Sequence, residues 1–128
     1  MDEKVIKVLN DNLWYVATCD EEPNAVPVGF KAVLEDGKLA VGDVFLNTTL
    51  QNIQKNGKVA ISTCDQKTME GYQVKGTAVH VTEGPVFEMF QKMAQEVFKG
   101  VVSTKGALII TPEKVIVTTP GPDNNKVL

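Results

Sequence analysis

The stretch with the most chemical promise is Gly42-Asp43-Val44-Phe45-Leu46-Asn47-Thr48-Thr49-Leu50-Gln51-Asn52-Ile53. It reads as a strand running out into a helix opened by Asn47, Thr48 and Thr49, whose short polar side chains favour helix starts. The first turn of a helix carries backbone N–H groups without intrahelical partners and a partial positive charge, and both suit a phosphate. Thr48 and Thr49 add two hydroxyls. The same residues equally describe an ordinary capped helix. Lys31 and Lys75 are the other candidates, each on a strand from which an ammonium can reach inward or simply face water.

The residue types that are missing narrow the chemistry. All thirteen cationic residues are Lys and none is Arg, whose planar fork grips phosphate bidentately. A phosphate site here must use Lys, hydroxyls or backbone N–H groups. The formal net charge of −3 and the lack of a basic stripe argue against nucleic acid, whose binding rests on phosphate neutralisation. Cys19 and Cys64, each inside a Thr-Cys-Asp triplet, read as small apolar fillers in a reducing compartment. The single His80 is far in sequence from either, so no metal site is expected. There is no G-x-S-x-G elbow, P-loop or G-x-G-x-x-G. Glu21 and Glu22 fall in a loop and Glu35 and Asp36 in a turn, so no catalytic pair of carboxylates emerges.

The elements that must position these residues follow from periodicity. At 128 residues the chain fits one domain, expected over residues 1–118 with an extended tail over 119–128. Residues 2–11 form an amphipathic helix, and residues 13–19 an aromatic and β-branched strand. Residues 25–34 alternate as one strand, with Val26, Val28, Phe30, Ala32 and Leu34 on one face and irregularity expected at Pro27. A hairpin signal at Glu35-Asp36-Gly37-Lys38 leads to a strand over 39–44, then a helix over 48–56 closed by Gly57. Strands follow over 58–64 and 72–82, and a long helix opens at Gly84-Pro85. The last strands, 107–111 and 114–118, are expected to break at Pro112. Six or seven mostly hairpin-connected strands with two or three helices predict a mainly β fold, an antiparallel split barrel with helical plugs. No apolar run reaches the ~20 residues of a membrane span, and the charged Met1-Asp2-Glu3-Lys4 start is unlike a signal peptide, so a cytoplasmic setting is expected.

Taken in order, Asn24-Ala25-Val26-Pro27-Val28-Gly29-Phe30, Val41-Gly42-Asp43, Thr49-Leu50-Gln51-Asn52-Ile53, Val59-Ala60-Ile61-Ser62 and Val74-Lys75-Gly76-Thr77-Ala78 resemble the FMN-binding split barrels related to pyridoxamine 5′-phosphate oxidase, especially their shortest members. The resemblance implies a homodimer with FMN between its subunits. It places Val26, Pro27, Val28, Gly29 and Lys31 along the ring edge and ribityl chain. Asp43, Val44, Phe45 and Leu46 would cover the ring, Thr48 and Thr49 would receive the phosphate, and Lys75 would be a further cation. Thr119–Pro122 would contact the flavin across the dimer. One departure stands out. The family usually has a Lys, or an Arg-Lys pair, where this chain has Thr48, a loss of about 1–3 kcal/mol of attraction for the phosphate. The absence of Arg also argues against oxidation of pyridoxamine phosphate itself. The function implied is an FMN-dependent oxidoreductase or electron-transfer protein with an unidentified redox partner. The alternative is a non-catalytic binding module that uses the cleft for haem or a deazaflavin, or that has lost its ligand.

Overall fold

Asp2 caps the first helix with its own side chain, accepting from the Lys4 N–H at 2.9 Å, and α1 runs from Glu3 to Asp11. The computed structural model describes all residues 1–128. One face of α1 buries Val5, Val8 and Leu9. The chain then enters β1 (Trp14–Cys19), β2 (Pro23–Val28), β3 (Lys31–Val33) and β4 (Leu39–Asp43). Helix α2 (Thr48–Asn56) precedes the hairpin β5 (Lys58–Cys64) and β6 (Gly71–Val81); α3 (Pro85–Phe98) and β7 (Gly106–Val117) complete the fold.

The seven strands form one curled antiparallel sheet in the order β2-β1-β5-β6-β7-β4-β3, a half-barrel with three helices. The mainly β split-barrel architecture expected from the alternation of short strands is therefore present. Its interior is a cluster built on Leu9, Trp14, Val16, Ile61, Val74 and Leu108, all fully enclosed. Trp14 lies against α1 and donates its indole N–H to the Leu9 carbonyl at 2.7 Å, so burying the ring strands no polar atom. A second, smaller cluster forms outside the sheet, where Phe90 of α3 packs on Ala40 and Ala107.

Two strand boundaries differ from the periodic reading. The single strand expected over 25–34 is broken at Gly29-Phe30, and its halves lie at opposite ends of the sheet, β2 on β1 and β3 on β4. Pro27 offers no ladder N–H, and pairing with β1 ends at Val28, after which the chain crosses to β4. At the other end, Pro112 does not break β7. It falls at a register shift opposite Lys75 and Gly76, where the ladder asks for no proline donor. The tail also differs from an extended segment. Residues 121–125 turn back, Leu128 N–H bonds to the Val115 carbonyl at 2.9 Å, and Val127 bridges Ile116.

Candidate functional site

The break at Gly29 and the start of α2 both line one cavity of about 660 Å³. Val26, Pro27, Val28 and Gly29 form one wall at the end of β2, where Val26 and Val28 also pack against the interior core. Val44, Phe45 and Leu46 form a second, with Thr48 and Thr49 at its end. These nine of the expected site residues are therefore brought together. Phe45 is 83% exposed at the mouth.

The third wall was not legible in the sequence. It comes from α3, whose Met93, Val97 and Phe98 face the cavity. Phe30 joins them, with its ring 5.1 Å from that of Phe90 and 5.6 Å from that of Phe98. Gly42 makes room for this aromatic corner, because a Cβ there would run into the Phe30 ring. A helix expected only to pack on a barrel thus supplies part of the site, and its distance in the chain hid that role.

At the α2 end, Asn47 does not cap the helix. Its Oδ1 accepts instead from Gln51 Nε2 at 3.1 Å. The intrahelical ladder begins with the Gln51 N–H on the Asn47 carbonyl, so the amides of Thr48, Thr49 and Leu50 lie outside it. The Thr49 hydroxyl is buried and accepts from Asn24 Nδ2 at 2.9 Å, while Asn52 Nδ2 donates to Thr18 Oγ1 at 3.0 Å. This network ties α2 to β1 and to the start of β2. Thr49 and Asn52 are buried with it, while Ile53 joins the hydrophobic core and Leu50 is only half-buried against that core.

Three expected site residues lie elsewhere in the chain. Lys31 turns away from the cavity: its ammonium donates to the Leu9 carbonyl at 2.9 Å and sits 5.1 Å from the centre of the Trp14 ring. Burial lowers its pKa from the ordinary lysine value. Lys75 is exposed on β6, beside Ala17 and Thr77 on a different surface of the sheet. Asp43 is buried at the end of β4 and points away from its lining neighbours Gly42 and Val44. One carboxylate oxygen pairs with His80 Nε2 at 3.0 Å; the other has no hydrogen-bond partner and has Lys105 Nζ at 4.0 Å. Gly106 keeps that corner open, since a Cβ there would strike the His80 ring. Thr119–Pro122 lie against Asp2, Glu70 and Tyr72, outside the cavity of their own chain.

The donor set can be tested against a flavin. The apolar walls with two phenylalanine rings suit a flat conjugated ring. At the polar end there are amides and hydroxyls, but no lysine lines the cavity. No acid and base face each other across it, so side-chain proton transfer has no visible machinery here.

The family model described as pyridoxamine 5′-phosphate oxidase matches residues 1–120. An uncharacterized protein of Methanocaldococcus jannaschii is 34% identical over an alignment covering 100% of this chain and 87% of its own. The crystal structure of HupZ from Group A Streptococcus superposes with a TM-score of 0.84 at 28% identity, covering 96% of this chain and 98% of that one. An FMN-binding protein from Syntrophomonas wolfei superposes with a TM-score of 0.81 over 94% of this chain and 87% of its own, at 18% identity, a likeness of fold alone.

Proposed function

The chain belongs to the pyridoxamine 5′-phosphate oxidase family, and from that premise we propose that it is a binding module for a flat conjugated ligand of flavin size, seated in the cavity between β2, the start of α2 and α3. The observation that carries this reading is the cavity itself: about 660 Å³, walled by valines and phenylalanines, with polar groups gathered at one end. No set of side chains there is equipped for acid–base or nucleophilic work, so any reactivity would belong to the ligand. Haem and a deazaflavin are candidate occupants beside flavin. A cytoplasmic setting belongs to the same proposal and accords with the two unpaired thiols of Cys19 and Cys64.

An FMN-dependent oxidoreductase is the second reading, and one observation favours it. The uncapped first turn of α2 opens on the cavity with Thr48 and Thr49, an arrangement that attracts an anionic group. Bound FMN would supply hydride or electron transfer, while Val28, Gly29 and Phe30 would lie against its ring and exclude water.

Absorbance spectra of the purified protein, taken after incubation with FMN, deazaflavin or haem and removal of free ligand, test both readings. Val97 is 63% exposed yet lines the cavity, so Val97→Glu is compatible with folding. It should weaken retention of any flat ligand about tenfold or more by placing a charge against the ring. Retention unaffected by Val97→Glu would remove the cavity as the site. Electron transfer from a reduced nicotinamide to an acceptor by the FMN-loaded protein would establish the second reading.

A further inference from the structure

We infer that the cavity recognises the ring of a flavin and not its phosphate, so that uncharged riboflavin binds with affinity comparable to FMN. This deepens the proposed reading and rests on it. The charge inventory of the cavity carries the inference. Its sixteen lining residues include no lysine and no histidine, and the chain has no arginine to contribute.

The cations that sequence would send there are committed elsewhere. Lys31 is held by the Leu9 carbonyl and the Trp14 ring. Lys75 stands on another surface, and Lys55, the one lysine of α2, which no sequence feature pointed to, pairs with Asp20 at 2.8 Å. The Thr49 hydroxyl accepts from Asn24, which fixes its position at the start of α2 and leaves only its O–H to donate to a ligand. What remains for a phosphate carries no formal charge: the free amides and partial positive charge of the α2 start and the Thr48 and Thr49 hydroxyls. Their exchange for water hydrogen bonds leaves a net gain of about two- to fivefold in affinity. A lysine or arginine in contact would be worth about tenfold or more. On the ring side nothing is lost by removing the phosphate, because the apolar walls and the Phe30 corner are indifferent to it.

The test is to titrate the full-length protein with FMN and with riboflavin, following flavin fluorescence, at low and at high salt. A ratio of dissociation constants below tenfold, with little dependence on salt, is expected. FMN binding tenfold or more tighter than riboflavin would overturn the inference and leave the flavin reading standing, with the missing cation then supplied by a second copy. Failure of both flavins to bind would overturn the inference together with the flavin reading, and would direct attention to the other flat ligands.

Discussion

At the scale of single residues, two side chains decide how charge is distributed. Lys31 resembles a ligand cation in sequence, yet its stem and ammonium close the space between α1 and Trp14. The cavity is left without a cation as a result. Thr48 is exposed in the first turn of α2, where a longer side chain meets no packing. Thr48→Lys should therefore tighten FMN about tenfold and leave riboflavin unchanged, by adding one charge-assisted hydrogen bond; paired titrations of the variant and parent check this. An equal gain for both flavins would mean that the lysine acts on the ring. Tyr72 offers a test of a different kind. Burial first, and then its 2.6 Å hydrogen bond to Glu70, push its phenol up from 10 to about 12. The folded state thus keeps a proton that the unfolded chain releases, and stability falls as the pH rises from about 10 to about 12. Tyr72→Phe should flatten that fall, which urea midpoints at about pH 9 and about pH 11 will report.

At the scale of elements, the local signals were legible and the long-range ones were not. Asp36-Gly37 and Gly57 announce a hairpin and a helix end in their own few residues, and both occur, Gly57 with a φ of 69° and its N–H on the Ile53 carbonyl. The division of residues 25–34 between two edges of the sheet depends on which strands pair. Alternation along one segment is the same whether the segment stays whole or crosses the open side. The site shares this limit: the β2 wall and α2 start could be read from adjacent residues, whereas Met93, Val97 and Phe98 arrive through the packing of α3. The β6–β7 register is likewise a tertiary outcome. Gly76 lies at its shift, and a Cβ there would collide with the Thr111 carbonyl, which is backbone and cannot swing aside. Gly76→Ala should cost about 3 kcal/mol in urea denaturation. A cost below about 1 kcal/mol would mean that the two strands slide freely past one another there.

At the scale of the whole molecule, the cavity is open on a face that carries exposed apolar groups. Phe45 is 83% exposed at the mouth, and Tyr15, 50% exposed on β1, lies directly across the ladder from Pro27 of the cavity wall. A flat ligand in such a cleft would keep one side in water, which costs affinity that a covering surface would recover. The homodimer expectation would make a second copy of the chain that covering surface, with the exposed aromatic groups at its contact. Light scattering at micromolar concentration should then give about twice the 13.9 kDa mass of the chain. Tyr15→Glu places a carboxylate in the middle of this face without touching the interior, since the Tyr15 side chain points outward between Pro27 and Ser62. It should shift the protein to monomer and weaken flavin about tenfold, as desolvating an unpaired charge opposes closure. Monomer formation with affinity unchanged would separate the two events and show that one chain completes the site. A Tyr15→Glu protein that stays dimeric would move the interface to another surface, with the exposed Val79 strip of β6 as the next face to interrupt.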